Sequence, residues 1–144
     1  MITIKAIDAT TLDKAKTVEQ QLFQAPYLDV FFNQHTTVKG ECIAAFDKDQ
    51  CVGIAAMMFV DEHGELLMIG ILPSHRLLGI GAAMMKHLIA SCDDHGASKI
   101  FLEVRKSNQA AIRLYQKLGF VVNRIRLNYY EDTQEDALEM RLEW

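Results

Sequence analysis

The 144-residue chain lacks the features that mark several protein classes. It has two prolines, and no stretch is rich in proline, glycine or serine, which excludes a collagen-like or low-complexity chain. No apolar stretch approaches the ~20 residues of a membrane-spanning helix. A basic amino-terminal segment followed by a cleavage site is also missing, which favours a soluble, cytoplasmic protein. Because 50% of the residues are apolar and no linker is visible, we expect one domain over residues 1–144.

Cysteine and positive charge are scarce as well. Cys42, Cys51 and Cys92 form neither a paired framework nor a C-x-x-C motif, so we expect buried free thiols. The formal net charge of -4 disfavours nucleic-acid binding, which depends on Lys and Arg contacts to phosphate. Acidic residues concentrate near the carboxyl end, where they either attract a basic peptide tail or form an ordinary solvated surface. They are Glu131, Asp132, Glu135, Asp136, Glu139 and Glu143.

The sequence predicts no metal site. Its five histidines are scattered, and the one metal-like cluster, Cys92 to His95, lies at the end of a predicted helix. Contiguous residues of a helix point in different directions, so these side chains cannot converge on one tetrahedral ion.

Hydrophobic periodicity and turn residues predict an α/β fold, in which a mixed sheet carries helices on its faces. Alternating apolar residues and short apolar runs predict strands over 2–6, 42–46, 51–60, 65–71, 99–104, 121–130 and 137–142. Apolar residues at helical spacing between capping residues predict four helices. These run from Thr10 to Leu22, from Pro26 to about Asn33, from the Gly79 region to about His95 before Gly96, and from Asn108 to Gly119.

The segment from Ile69 to Met84 predicts an anion site, because a buried strand, a seven-residue loop and a glycine-marked helix start follow one another. A helix N-terminus has unpaired N–H groups and partial positive charge, and Gly79 and Gly81 leave a phosphate room to approach them. A Walker loop is excluded because neither glycine is followed by Lys. A dinucleotide-binding turn is disfavoured, since Met84 occupies the third glycine position and seven residues separate Ile71 from Gly79.

The loop Arg76-Leu77-Leu78-Gly79-Ile80-Gly81 fits the pattern R/Q-x-x-G-x-G/A and resembles the coenzyme A pyrophosphate loop of the Gcn5-related N-acetyltransferases (GNAT). Within that family the chain is similar to the bacterial N-acetyltransferases of ribosomal-protein alanine, closely over its C-terminal half and loosely over its N-terminal half. The matching segments are Leu102-Glu103-Val104-Arg105, Ser107-Asn108, Ala110-Ala111, Leu114-Tyr115, Leu118-Gly119-Phe120, Asn128-Tyr129-Tyr130 and Glu135-Asp136-Ala137 with Met140.

The resemblance implies a fold, a co-substrate and the residues that bind it. The fold is a single-domain, mostly antiparallel sheet of about six or seven strands with helices on both faces. In it the strand before the loop and the strand over 99–104 run parallel and splay apart to admit the pantetheine arm. Acetyl-CoA is the co-substrate, and the residues expected to bind it are Ile69, Gly70, Ile71, Arg76, Leu77, Leu78, Gly79, Ile80, Gly81, Ala82 and Asn108. Without the resemblance, Arg76 is an ordinary surface arginine and Asn108 a helix N-cap.

The resemblance also implies two catalytic residues. Moving an acetyl group from a thioester to an amine needs a neutral amine, a stabilised oxyanion and a proton for the departing thiolate. Glu103 is expected to remove the amine proton, through water, and Tyr115 to protonate the sulfur. Without the resemblance, Glu103 is a strand-edge carboxylate paired with Arg105 or Arg113, and Tyr115 is a core tyrosine with a polar tip.

The expected acceptor is the N-terminal alanine of a small-subunit ribosomal protein, presented as a basic peptide, as the resemblance implies. Reference pKa values near 8.0 and 10.4 leave about 10% of an α-amine but only ~0.04% of a lysine neutral at pH 7, which favours the α-amine. Two alternatives stay open. One is a small-molecule amine acetyltransferase on the same fold, and the other is a non-catalytic acetyl-CoA-binding module, which would have no use for Glu103 and Tyr115.

Overall fold

The computed structural model describes residues 1–23, 25–33 and 35–144. Its strands are β1 (Ile2–Ala6), β2 (Lys39–Asp47), β3 (Gln50–Val60), β4 (His63–Ile71), β5 (Lys99–Arg105), β6 (Val121–Tyr130) and β7 (Glu135–Glu143). They form one seven-stranded sheet in the order β1-β2-β3-β4-β5-β7-β6. Every neighbouring pair is antiparallel except β4 and β5, which run parallel, so the predicted mixed and mostly antiparallel sheet is confirmed.

Four α-helices accompany the sheet in the described part of the chain: α1 (Leu12–Leu22), α2 (Tyr27–Phe32), α3 (Ile80–Ser91) and α4 (Gln109–Lys117). The predicted end of the third helix near His95 is too late, since α3 stops at Ser91 and a 3-10 turn, Asp93–His95, leads to Gly96 at φ +69°. β4 begins two residues earlier than predicted, because the turn at Asp61 (φ +52°) lets Val60 pair with His63. None of these helices is long and apolar enough to span a bilayer.

The helices cover both faces of the sheet, as predicted. Along β2, Ile43 and Ala45 face one core, which α3 and α4 complete, while Cys42 and Ala44 face a second core with α1 and α2. This alternation follows from the two-residue repeat of a strand that is buried on both sides. The three cysteines are buried and free, which confirms that expectation.

β4 and β5 separate soon after they meet. They pair only where His63 to Glu65 lie beside Lys99 to Phe101, and the rest of β4 pairs with β3 alone. Met57 lies opposite Leu66 and Ala56 opposite Met68, which leaves Leu67 as the extra residue of a β-bulge. The splay that the resemblance implied is therefore confirmed. The strand over 65–71 is half-buried along most of its length and not buried as predicted, because this edge lacks a neighbouring strand.

Candidate active site

A cavity of about 510 Å³ opens where β4 and β5 diverge. Side chains from α2, β4, β5, β6 and β7 form its wall, so the cavity exists only because distant segments of the chain meet at the splay. The lining residues are Tyr27, His63, Glu65, Leu66, Leu67, Phe101, Leu102, Glu103, Arg124, Arg126, Tyr129, Tyr130 and Glu139.

Glu103 projects into this cavity from β5. Its neighbours Leu102 and Val104 point into the core, so the alternation of the strand turns Glu103 to the open side. The Glu103 side chain is 31% exposed, and its Oε1 lies 3.7 Å from the Nε of Arg126. The sequence pointed to Arg105 or Arg113 as the partner, but Arg105 pairs with Asp132 at 3.0 Å. Glu103 is therefore an exposed residue whose carboxylate lies beside an arginine that the sequence analysis did not consider.

Two tyrosines lie next to Glu103. The Glu103 carboxylate accepts a hydrogen bond from Tyr129 and thereby raises the pKa of that phenol. Burial, and then the charge of Glu103, raise the pKa of Tyr130. Consecutive residues of a regular strand face opposite sides, yet both tyrosines line the cavity. The cause is a bulge, in which the three residues after Arg126 lie opposite Asp136 alone, and Asn128 adopts φ +50°.

Tyr115 lies on α4 and is only 5% exposed, with its ring 5.7 Å from that of Phe120. Burial raises the pKa of Tyr115 to about 12, and Tyr130 adds to the effect. A phenol with this pKa keeps its proton at neutral pH, and it is a weaker acid than an ordinary thiol. Tyr115 is not among the residues that line the cavity, and Tyr130, which does line it, is the neighbour whose charge acts on the Tyr115 phenol.

The predicted coenzyme loop ends at a left-handed residue. Gly79 has φ +80° and precedes the first turn of α3, and a Cβ at this position would meet no atom within 4 Å. Leu77 is also left-handed, at φ +64°, and is fully exposed together with the largely exposed Leu78. The first N–H groups of α3, from Ile80 to Ala82, lack intrahelical acceptors. The loop thus offers an open backbone surface at the positive end of a helix, which fits a pyrophosphate.

Side chains fix this loop to the sheet. The Nε of Arg76 donates to the carbonyl oxygen of Ile71 at 3.0 Å, which ties the loop to the end of β4. His75 lies 2.9 Å from Asp47 at the turn between β2 and β3, and its other ring nitrogen lies 2.7 Å from the Ser74 hydroxyl. Arg76 is therefore more than a plain surface arginine, because it anchors the loop whether or not it also contacts phosphate.

Apart from Asn108, the remaining predicted coenzyme residues lie on the two elements that the loop connects, β4 and α3. Ile69, Gly70 and Ile71 occupy the part of β4 that pairs with β3 alone. A Cβ on Gly70 would lie 2.9 Å from side-chain atoms of Leu22 and Phe23, so a larger residue there would displace the ends of those two side chains. Ile80, Gly81 and Ala82 form the first turn of α3, and a Cβ on Gly81 would touch Leu114 of α4 at 3.4 Å.

Asn108 is the N-cap of α4, because its side chain accepts from the N–H of Ala111 at 3.2 Å. The capping interpretation of Asn108 is confirmed, and its contact with coenzyme stays a prediction. The two uses are compatible, since a capping amide keeps free hydrogens after its oxygen accepts from the helix.

Sequence reasoning missed an arginine pair on β6. Glu139 of β7 has a side chain only 13% exposed, and it accepts from Arg124 Nε and Arg126 Nη2, both at 3.2 Å, and from Asn123 at 2.6 Å. Burial alone would raise the pKa of Glu139, but these donors outweigh it and lower the pKa. The available signal in the sequence was that Arg124 and Arg126 are two residues apart on one strand and so face the same side. This spacing identifies no partner until β7 is known to lie beside β6.

Most of the late acidic residues have partners within the chain. Asp132 and Glu135 pair with Arg105, and Glu143 lies 3.4 Å from Arg141. Asp136 accepts from the N–H of Asn128 at 2.9 Å. These pairings favour the interpretation of this segment as an ordinary surface. They disfavour the alternative that its carboxylates attract a basic peptide tail. Among the described residues, no group of three or more His, Cys, Asp or Glu could hold a metal ion.

Comparison with known proteins agrees with this geometry. The profile of the family described as "Acetyltransferase (GNAT) family" matches residues 9–120. The chain is 35% identical over 147 residues to the [ribosomal protein bS18]-alanine N-acetyltransferase of Escherichia coli K12, covering 99% of this chain and 97% of that protein. It is 30% identical over 125 residues to N-alpha-acetyltransferase 50 of Danio rerio, covering 83% and 74%.

Among solved structures, the crystal structure of the ribosomal-protein-S18-alanine N-acetyltransferase from Escherichia coli superposes with a TM-score of 0.84 at 33% identity. The match covers 99% of this chain and 94% of that one. The chain belongs to the GNAT family of acetyltransferases, and acetyl-CoA is its co-substrate.

Proposed function

We propose that this protein acetylates the N-terminal α-amine of a ribosomal protein that begins with alanine, in the cytoplasm. The observation that carries the proposal is Glu103, a partly exposed carboxylate on the wall of the roughly 510 Å³ cavity at the β4–β5 splay. Relatives named for this reaction in Escherichia coli and Salmonella typhimurium are 33–35% identical over 99% of this chain, which supports the same acceptor.

Each step of the reaction has a candidate group. Acetyl-CoA supplies the thioester carbonyl and the thiolate leaving group. Glu103 accepts the proton of the incoming amine, directly or through water, and Tyr115 holds the proton that the sulfur needs. Backbone N–H groups of Ile69 to Ile71 would stabilise the carbonyl oxygen as it becomes an oxyanion.

The pyrophosphate of the coenzyme would bind to a part of the chain that takes no part in the transfer itself. Residues Arg76 to Ala82 would bind the pyrophosphate through backbone N–H groups, and Asn108 would contact the coenzyme from α4. Because the loop is fixed by Arg76 and His75, this binding surface is formed before the coenzyme arrives. Preformed donors lose little entropy on binding, which favours tight capture of a flexible ligand.

The acceptor approaches from the other side of the splay. The cavity there carries both signs of charge, from Glu65, Glu103, Arg124 and Arg126, beside three tyrosines, Tyr27, Tyr129 and Tyr130. Such a surface suits a peptide backbone with basic side chains better than an apolar amine. We propose a basic N-terminal peptide as the occupant of this cavity.

The test measures thiol release from acetyl-CoA with an Ala-initiated, Arg-rich peptide. The same peptide with a blocked N-terminus and an added Lys is the matched control. We expect release only with the free N-terminus, and release with the blocked peptide would contradict an α-amine acceptor. Release with simple amines and neither peptide would favour a small-molecule acetyltransferase, while binding without release from any amine would favour a non-catalytic module.

A further inference from the structure

The Nε of Arg126 is buried and lies in an ion pair with Glu103, but it makes no hydrogen bond. Among the described residues, its Nε is the one buried side-chain nitrogen or oxygen with no hydrogen bond. The 3.7 Å between this atom and Glu103 Oε1 is too long for a hydrogen bond. Buried donors are almost always paired in folded proteins, so an unpaired one at the wall of a cavity indicates a role that the free protein does not fulfil.

The guanidinium is nevertheless held in place. Its Nη2 donates to Glu139 at 3.2 Å, the one hydrogen bond that the described residues give to this group, which has five N–H donors. Glu139 is fixed in turn by Asn123 and Arg124. The ring of Tyr129 lies 5.6 Å from the guanidinium carbon. Arg126 is thus an anchored cation with spare donors, beside the carboxylate that faces the acceptor.

We propose that Arg126 binds the carbonyl oxygen of the acceptor's first residue while Glu103 faces its α-amine. This inference rests on the proposed function. In an aminoacyl group the amine nitrogen and the carbonyl oxygen are joined through two carbons, which places them about 3 Å apart. The Nε of Arg126 is closed to solvent, so the contact would use the Nη N–H groups of the guanidinium. The guanidinium and Glu103 adjoin on the cavity wall, with 3.7 Å between Nε and Oε1, so one residue of a peptide can contact both side chains.

The arrangement selects the kind of amine. A lysine side chain has no oxygen within three bonds of its nitrogen, so it cannot bridge Glu103 and Arg126. A simple alkylamine fails for the same reason. An N-terminal residue satisfies the carboxylate and the guanidinium together, and the second contact fixes the direction in which the peptide leaves the cavity. Arg126 is in this way a specificity-determining residue.

The test compares two acceptors that differ in one oxygen. The first is the Ala-initiated peptide, and the second is the same peptide with its first amide replaced by an (E)-alkene, which keeps the geometry but lacks the carbonyl. A hydrogen bond to a charged group corresponds to roughly a 10- to 100-fold effect. Arg126→Met is expected to lower kcat/KM by that factor for the amide peptide and by no more than about threefold for the alkene. Arg126→Lys, which keeps the charge, should restore part of the loss.

Arg124→Met is the matched control, because Arg124 also lines the cavity and bonds Glu139 but has no recorded contact with Glu103. Because Arg124 helps to fix Glu139, which holds Arg126, Arg124→Met should change the ratio of kcat/KM for the two acceptors in the same direction as Arg126→Met but by a smaller factor. An equal loss for both acceptors in Arg126→Met would overturn the role of Arg126 and leave the proposed function intact. Failure of the unaltered protein to acetylate either peptide would overturn the proposed function, and this inference with it.

Discussion

Tyr115 is a core residue for which the resemblance also predicts a role in the reaction. Its burial is that of a core residue, and the same burial keeps its pKa near 12 and its proton in place. We expect Tyr115→Phe, which removes one oxygen and keeps the ring, to lower kcat roughly 10- to 100-fold while the Kd for acetyl-CoA stays within about twofold. Steady-state assays of product formation measure kcat, and calorimetric titration measures the Kd for acetyl-CoA. A loss of thermal stability with unchanged kcat would mean that the residue only packs.

The residues of the site differ in how far sequence could find them. Glu103 and Tyr115 lie in short segments whose order matches the family, so the resemblance was enough to select them. Arg126 lies 23 positions beyond Glu103, on a strand that is separated from β5 by β7. Its approach to Glu103 depends on strand order, and no local pattern of residue types carries that information.

At the scale of elements, the start of α3 is the predicted pyrophosphate site. A Cβ on Gly81 would be in ordinary contact with Leu114 at 3.4 Å, so Ala fits there, whereas a longer side chain must project between α3 and α4 or into the coenzyme's path. We expect Gly81→Leu to raise the Kd for acetyl-CoA by tenfold or more, and Gly81→Ala by no more than about threefold. Calorimetric titration checks both, and unchanged affinity in Gly81→Leu would refute the assignment of the loop.

The helix α2 depends on one buried carboxylate. Glu19 of α1 is 4% exposed and accepts from the N–H of Leu28 at 2.9 Å, next to Tyr27, which lines the acceptor cavity. Glu19→Ala leaves a buried donor unpaired, at a cost of about 1–3 kcal/mol in the free energy of unfolding. We expect that variant to raise KM for the peptide more than KM for acetyl-CoA, because Tyr27 lies on the acceptor side. Equal changes in the two KM values would contradict this coupling.

Glu19→Gln separates the charge of this residue from its hydrogen bond. Burial raises the pKa of Glu19, so its ionised form at neutral pH is less favourable in the folded state than in the unfolded one. The stabilising contribution is complete below the unfolded pKa of ~4.3 and is lost as pH rises through the folded value. Glu19→Gln keeps an acceptor oxygen without charge, so we expect its melting temperature at pH 7 to equal or exceed that of the unaltered protein. The difference should shrink as pH falls towards 4.3.

Periodicity in the sequence predicted the strands and helices, but it did not predict the bulges and the strand separation that shape the site. Apolar spacing and capping residues predicted the strands and helices to within a few positions, because those signals are local. The bulges at Leu67 and after Arg126, and the separation of β4 from β5, come from pairing between segments far apart in the chain. The resemblance alone predicted the splay of β4 and β5. Neither the sequence pattern nor the resemblance predicted the bulge through which both Tyr129 and Tyr130 face the cavity.

The whole molecule is a sheet between two cores, and each core buries a neutral acid. Cys42 lies in the core with α1 and α2, while Cys92 and Tyr115 lie in the core with α3 and α4. Burial, with Glu41 and Glu19 nearby, raises the pKa of Cys42 to about 12. Burial, with Asp93 nearby, raises that of Cys92 to about 11. Both cores therefore exclude thiolates and resist deprotonation until the pH is far above the usual range of a thiol.

These two thiols predict a loss of stability in alkali. In the unfolded chain a thiol titrates near ~8.5, so the unfolded state loses its protons first and is favoured as pH rises. The contribution is complete below ~8.5 and disappears as pH approaches the folded values of about 11 and about 12. Between pH 9 and 10 each thiol should lower the free energy of unfolding by roughly 1 kcal/mol.

Urea denaturation at pH 8, 9 and 10 measures this slope, and the double variant Cys42→Ala with Cys92→Ala supplies the comparison. Other groups that titrate in alkali are common to both proteins, so the difference between their slopes belongs to the two thiols. We expect the variant to start less stable, because each substitution leaves a small cavity, and to lose less stability as pH rises. Parallel curves would contradict this prediction, because they would mean that the thiols ionise as readily in the folded protein as in the unfolded chain.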